Sequence, residues 1–245
     1  MQDDGYFDER IAARYDESSA EMFDPEVIEP AVDLLAELAG NGRALELAIG
    51  TGRIALPLAA RGVPVHGIEL SKAMAAKLRE KPGADEIGVT IGDFTTTTVE
   101  GTFTVAYLVF NTINNVTTQS GQVAAFRNVA AHLEPGGCFV IEVGIPELRR
   151  LPPGETFHVF DVSETHWGLD EYDVANQGLI SHHFTLVGDE LERVSVPFRY
   201  VWPAELDLMA ELAGMRLRDR WEGWKREAFT SESRRHVSVW QLPGA

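Results

Sequence analysis

Over the first 145 positions, short apolar runs alternate with stretches whose apolar residues fall at helical spacing. R-A-L-E-L-A at 43–48 meets I-G-T-G-R and then a pattern carrying Ile54, Leu58 and Ala59, which predicts a strand, a Gly turn and a helix. V-P-V-H-G-I at 63–68 predicts a second strand ending in Glu69, with Ser71 capping a helix over K-A-M-A-A-K-L-R-E-K. I-G-V-T-I at 87–91 predicts a third strand, closed by Gly92-Asp93-Phe94, and F-T-V-A-Y-L-V-F a fourth that ends at Asn111. A helix around Gln122–Leu133 leads through Glu134-Pro135-Gly136-Gly137 into a fifth strand, C-F-V-I-E-V. Such alternation implies right-handed βαβ crossovers and a parallel sheet covered on both faces.

Before the first strand, residues 25–39 predict a helix with Val27, Val32, Leu35 and Leu38 inward, Asp24 as N-cap and Gly40 as stop. Further upstream, Ile11, Tyr15 and Met22 share one possible face of a short amphipathic helix or flap within residues 1–24. After Pro146 the rhythm breaks. Runs such as L-I-S-H-H-F-T-L-V and L-E-R-V-S-V-P-F-R-Y-V around Gly188-Asp189 predict an antiparallel hairpin over the sheet edge. Residues 147–200 are too few for an independent core, so they read as a lid inserted into one domain formed by 25–146 and 201–245. Pro203 opens a last helix, which Gly214 ends, and M-R-L-R-D-R-W and H-V-S-V-W-Q-L predict two final strands.

Composition narrows the function. The 245 residues, 44% apolar and 24% charged, suit one large α/β domain. With 21 Lys and Arg against 38 Asp and Glu, a net charge of −17 argues against nucleic acid or anionic lipid as partner. No apolar run reaches the ~18 residues of a membrane span. The lone Cys138 excludes an internal disulfide and a Cys-cluster metal site, and no His or Asp/Glu spacing forms a metal centre. The acidic opening M-Q-D-D-G-Y-F-D-E-R lacks the features of a secretory leader. The expectation is a cytoplasmic monomer or homodimer acting on a small molecule.

A strand-to-helix Gly turn offers backbone amides and a helix N-terminus to a ligand, with no side chains to prevent close approach. Gly50-Thr51-Gly52-Arg53-Ile54-Ala55 also satisfies G-x-G-x-x-A, so the turn alone fits a nicotinamide cofactor as well as other nucleosides. Glu69, 69 − 50 = 19 positions beyond Gly50, is placed to accept bonds from ribose hydroxyls in either case.

A-L-E-L-A-I-G-T-G-R-I-A-L-P-L-A, H-G-I-E-L-S-K-A-M, I-G-D-F and L-E-P-G-G-C-F-V-I-E-V, in that order, resemble the motifs of class I S-adenosylmethionine-dependent methyltransferases. The likeness is strongest over residues 40–145, and the two-strand ending is similar to the reversed seventh strand of that family. It implies a Rossmann-like, seven-stranded, mostly parallel sheet with a small antiparallel β insertion as lid. It also implies S-adenosylmethionine as cofactor. By the same resemblance Glu46, Gly50, Thr51, Gly52 and Arg53 surround the amino-acid end, with Ala48 where the family usually has its first glycine. A methyl at Ala48 is tolerable if φ is negative. Glu69 holds the ribose; Leu70 and Met74 wall the adenine; Gly92 leads to Asp93, which meets the adenine amino group, and Phe94, which meets its ring. Asn111 and Thr112 lie beside the sulfonium, and Tyr15 covers the cofactor. From the residues alone, Asp93 can equally cap a turn, Met74 fill core, and Asn111 and Asn115 satisfy loop amides.

For the chemistry, the chain partly resembles aminosugar N-methyltransferases, in many of which the loop after the fourth strand carries a histidine. Here Asn115 stands at about that place, able to orient a nucleophile but not to take its proton. His182, which a strand over 179–187 would put on one face with Ile180, Phe184 and Leu186, is the first candidate for a general base, and equally fits a satisfied core histidine. Tyr172 and Glu142 are weaker candidates. Trp167, Trp202, Trp221 and Trp224 either line an acceptor pocket or pack the insertion. The expected reaction is methyl transfer to O or N of a small sugar-like or natural-product acceptor. The alternatives are a non-catalytic S-adenosylmethionine-binding module and a nicotinamide-dependent oxidoreductase.

Overall fold

A computed structural model describes residues 7–244. The alternating region forms β1 (Ala44–Leu47), α3 (Ala55–Ala60), β2 (Val65–Glu69), α4 (Lys72–Arg79), β3 (Gly88–Ile91), β4 (Phe103–Leu108), α5 (Gln119–His132) and β5 (Leu133–Gly144). It is preceded by α1 (Glu9–Ser18) and α2 (Pro25–Ala39), and followed by β6 (Phe157–Val162), β7 (His166–Asp173), β8 (Gly178–Val187), β9 (Glu190–Arg199), α6 (Pro203–Leu212), β10 (Arg216–Trp221) and β11 (Arg235–Gln241). Residues 1–6 of the expected flap lie outside the described residues.

The main sheet has the order β10-β11-β5-β4-β1-β2-β3, with β1 to β5 parallel and β11 antiparallel to both its neighbours. Its strands read as near-continuous apolar runs because both faces are covered. One face packs Val105, Tyr107 and Val140 against α2 and α3; the other packs Ala106, Phe139 and Ile141 against α5 and α6. Phe126 of α5 meets Trp240 edge-on at 5.4 Å and Phe139 at 5.1 Å.

Asp24 caps α2 as expected, accepting from the Glu26 amide. The buried stripe of that helix differs from the expected one: Ile28, Ala31, Leu34 and Ala39 join Val32 and Leu35, whereas Val27 is exposed. Ser71 caps α4 by accepting from Met74 N. Met22 does not continue α1; it sits in a 3-10 turn over Ala20–Phe23.

The insertion departs most from expectation. In place of a single hairpin stands a four-stranded antiparallel sheet, β6, β7, β8 and β9, paired in that order. The β8–β9 hairpin turns through Gly188, at φ 63, and Asp189, as the sequence indicates. Arg199 at the end of β9 anchors this sheet: its guanidinium donates to Gln122 Oε1 (2.5 Å), Gln177 Oε1 (3.2 Å) and Glu205 Oε1 (2.7 Å). Gln122 in turn donates to Ile113 O and Arg199 O.

His236 of β11 is fully buried, its Nδ1 sharing a hydrogen bond with Ser238 Oγ and its Nε2 without a partner among the described residues. Burial, aided by the nearby Arg220 charge, lowers its pKa to about 4. The unfolded chain therefore binds the extra proton first, and stability rises with pH across the window from about 4 to 6.5. The expected contribution is a slope of up to about 1.4 kcal/mol per pH unit. Denaturant titrations at pH 7, 6 and 5 test it, since His236→Leu should flatten the acid-side slope and an unchanged slope would contradict the assignment.

Among the described residues no helix is long and apolar enough to cross a membrane, and no group of three or more His, Cys, Asp or Glu is placed to hold a metal ion.

Candidate active site

At the carboxyl ends of β1, β2 and β4 lies a cavity of about 400 Å³, where open α/β sheets place their ligands. Tyr15, Ala48, Gly50, Glu69, Leu70, Met74, Asp93, Phe94, Thr112 and Asn115 all line it. Six further lining residues carried no sequence signal for this role: Phe7, Thr95, Val116, Thr117, Thr118 and Gly121. Thr118 shows itself in sequence only as the N-cap of α5, where it accepts from Gly121 N.

Glu69 organises the centre of the cavity. Its Oε2 accepts from Gly50 N (2.7 Å) and its Oε1 from Ser71 N (2.9 Å), so one carboxylate ties the Gly turn to the start of α4. Burial pushes its pKa up, and the amides of Ser71, Gly50 and Leu70 pull against that. Gly50, at φ 57, brings its amide to this carboxylate, so the donor that a dinucleotide's pyrophosphate would use faces a negative charge instead.

Asp93 closes the tight turn after β3, with Oδ1 accepting from Thr95 N (2.8 Å) and Oδ2 without a partner among the described residues. Turn capping and ligand contact are therefore compatible on one side chain. Leu70, Met74 and Phe94 supply apolar wall beside it. Two acceptor carboxylates, one at a flat apolar slot and one at the turn, match the amino and hydroxyl donors of an adenosine. The residues present thus fit S-adenosylmethionine.

Several predicted site residues support the cavity without lining it. Glu46, 3% exposed, accepts from Tyr107 OH (2.9 Å) beneath the turn. Burial drives its pKa up to about 8, against the hydrogen bond from Tyr107, the charge of Arg53 and the Ala55 amide. Gly52 has φ 83, and a Cβ there would collide with the Leu78 side chain, so it serves close packing. At Gly92 a Cβ would collide with Thr97. Thr51 donates to Asp16 on α1 (2.6 Å), and Arg53 donates to Met22 O (3.3 Å) and stacks on Phe110.

Asn111 also lies outside the cavity lining; its Oδ1 accepts from Gly144 N (2.6 Å) and bridges the ends of β4 and β5. Phe110 and Asn111 adopt consecutive positive φ values of 56 and 61, a strain of about 1–2 kcal/mol each. Ala48 shares this left-handed conformation, at φ 53, so the condition of negative φ fails. Its methyl is accommodated under strain, at a position where the cavity wall needs a left-handed turn.

His182 does not reach the cavity. It is buried within the four-stranded sheet, Nδ1 sharing a hydrogen bond with Ser195 Oγ (2.8 Å) and Nε2 facing Glu171 (3.2 Å). With both nitrogens engaged, the core-histidine reading accounts for it and the general-base reading has no geometry behind it. Tyr172 is buried in the same sheet with its pKa raised to about 12 by desolvation first and nearby Asp170 and Glu147 second, while Glu142 accepts from Phe110 N. None of the four tryptophans lines the cavity; Trp221 and Trp224 pack against the α2 side of the core.

The fold and the cavity together define a nucleoside-binding enzyme of the reversed-strand type, and the comparisons agree: the chain belongs to the class I S-adenosylmethionine-dependent methyltransferases. A methyltransferase domain model matches residues 44–137. The solved CcbJ methyltransferase from Streptomyces caelestis is 36% identical, with a TM-score of 0.87 over 99% of this chain and 100% of that one. The cypemycin N-terminal methyltransferase of Streptomyces sp is 26% identical over 241 residues, 92% of this chain and 96% of that protein. CalS10, an amino pentose methyltransferase from Micromonospora echinaspora solved with S-adenosylmethionine bound, is 26% identical with a TM-score of 0.66, covering 87% of this chain and 90% of its own. The protein is an S-adenosylmethionine-dependent enzyme, and the nicotinamide reading of G-T-G-R-I-A falls away.

Proposed function

We propose that the enzyme methylates a small natural-product or sugar-like acceptor in the cytoplasm, on an amine nitrogen in preference to a hydroxyl oxygen. The observation that carries this reading is the make-up of the cavity's acceptor side. Among the described lining residues, Thr112, Asn115, Thr117, Thr118 and Tyr15 offer hydrogen bonds, the carboxylates Glu69 and Asp93 are assigned to the cofactor, and none is a histidine or lysine that could take a proton. Burial raises the Tyr15 pKa, which keeps its phenol a donor. A neutral amine attacks with its own lone pair and sheds its proton afterwards, whereas an alcohol needs a base first. In support, one relative is named an N-terminal methyltransferase and another an amino pentose methyltransferase, and both of those acceptors carry an amine.

Bound S-adenosylmethionine supplies a methyl group already activated on a sulfonium. The chain's part is to hold and align. In this reading Glu69 accepts from the ribose hydroxyls, Asp93 Oδ2 from the adenine amino group, and Leu70, Met74 and Phe94 sandwich the ring. Ala48 and Gly50 lie along the amino-acid end, Tyr15 covers the cavity, and Thr112 and Asn115 orient the acceptor. The sheet of residues 157–199 acts as a lid on the acceptor side. In support, β9 packs on the turn Thr112–Asn115, and Glu192 of β9 faces Arg10 of α1 at 3.7 Å.

Methyl transfer from labelled cofactor to a panel of paired amino and hydroxy sugars tests the proposal. Products labelled on nitrogen are expected, and labelling of the hydroxy members alone would overturn the preference.

A further inference from the structure

The segment that carries Tyr15 is strapped to the two loops that form the cofactor cavity. Ser71 Oγ, while accepting from Met74 N at the cap of α4, donates to Phe7 O at 2.5 Å. Arg53, next to the Gly turn, donates to Met22 O. The centre of the strap is Asp16, one residue beyond Tyr15 on α1. Its Oδ1 accepts from Thr51 Oγ1 at 2.6 Å and its Oδ2 pairs with Lys81 Nζ at 2.5 Å. Lys81 closes the triangle by donating to Thr51 O at 2.8 Å, and its ammonium lies over the Phe23 ring at 5.3 Å.

We propose that Asp16 is a positioning residue: with Thr51 and Lys81 it latches α1 onto the Gly turn, holds Tyr15 over the cofactor, and sets how fast the nucleoside leaves. The geometry gives this role a direction. Thr51 lies between Gly50, whose amide holds Glu69, and Gly52, so a pull on Thr51 is a pull on the cofactor turn itself. Tyr15 reaches the cavity from the helix turn that Asp16 pins, so α1 cannot lift without first breaking the Asp16 contacts. Lys81 has a choice of partners that no free lysine has, a carboxylate and a carbonyl at fixed positions, and that fixes the register of α1 as well as its attachment. The latch is built from short, partly shielded, charge-assisted bonds.

The inference rests on the cavity being the cofactor site, and the test separates the two. S-adenosylhomocysteine, the demethylated product, is the probe, followed by stopped-flow Tyr and Trp fluorescence or surface plasmon resonance. Asp16→Ala should raise its dissociation rate at least tenfold while changing the association rate less than threefold. Asp16→Asn should fall between, since its amide oxygen still accepts from Thr51 but loses the charge that pairs with Lys81. The denaturation midpoint of the free protein should move little in Asp16→Asn. A wild-type protein that fails to bind the probe would overturn the cofactor assignment. Binding by the wild type with an unchanged release rate in Asp16→Ala would overturn the latch alone, as would a rate that tracks lost stability with no recovery in Asp16→Asn. Hydrogen exchange on the wild-type protein covers the case of a variant that does not fold. Amides of residues 9–18 and 49–53 should gain protection together when the probe is added, and independent behaviour of the two segments would overturn the latch.

Discussion

Replacing Glu69 by Ala is expected to weaken S-adenosylmethionine binding by about 1–3 kcal/mol, or roughly five- to 150-fold in Kd. Two losses combine. In the proposed binding mode the ribose hydroxyls lose their charged acceptor, and the Gly50 and Ser71 amides lose the carboxylate that joins the turn to α4. Glu69→Gln retains one carbonyl oxygen and should fall between wild type and Ala. The raised pKa also sets a pH dependence: acidification through it protonates the carboxyl, replaces an acceptor by a donor, and lowers affinity. Titration calorimetry at neutral pH with all three proteins decides the matter, with circular dichroism to confirm that the fold persists. A Kd unaltered by the Ala substitution would remove Glu69 from the ribose.

The largest stability effect is expected from Arg199→Met. Arg199 is 6% exposed and holds Glu205, Gln122 and Gln177 at once, so it joins the four-stranded sheet to α5, α6 and, through Gln122, to the Thr112–Asn115 turn at the cavity. Burial tends to raise the Glu205 pKa, but hydrogen bonds from Arg199, Gln177 and Gln119 outweigh it and hold the carboxyl below its ordinary value. That ionised carboxylate would be stranded by loss of the guanidinium, at a cost of about 3–5 kcal/mol. The thermal midpoint should fall by on the order of 10 °C. Adding Glu205→Leu should recover part of the loss, because removing both partners removes the uncompensated charge. A single-substitution loss below about 1 kcal/mol, the figure for a surface pair, would show that the network is dispensable.

The parallel half of the sheet was legible because its signals are local. Ala44–Leu47 and Phe103–Leu108 are short apolar runs, and Asp24, Ser71 and Gly40 mark helix ends by side-chain chemistry or missing side chains. The four-stranded sheet was only half legible. Around Gly188 a tight turn joins two apolar-rich strands, whereas β6 and β7 mix Asp, Glu and His with aromatics and leave Phe157, Val159 and Val162 exposed, so no clean alternation exists to read.

The site divides along similar lines. Residues within the turn motifs, Gly50, Glu69 and Asp93, are marked by position. Whether a side chain faces the cavity or supports it from behind depends on backbone twist that a one-dimensional pattern does not carry. Thus Glu46 supports the turn from below, Asn111 turns to the Gly144 amide, and His182 is enclosed by its own sheet. Phe7 and the Thr117–Thr118 pair come to the cavity through α1 and the cap of α5, contacts that only the tertiary structure makes.

A crystal structure of the protein with S-adenosylhomocysteine tests the central claim most directly. The ribose hydroxyls should lie on the Glu69 carboxylate, the adenine between Leu70, Met74 and Phe94, and its amino group on Asp93. Adenosine bound elsewhere, or a ribose that leaves Glu69 untouched, would contradict it.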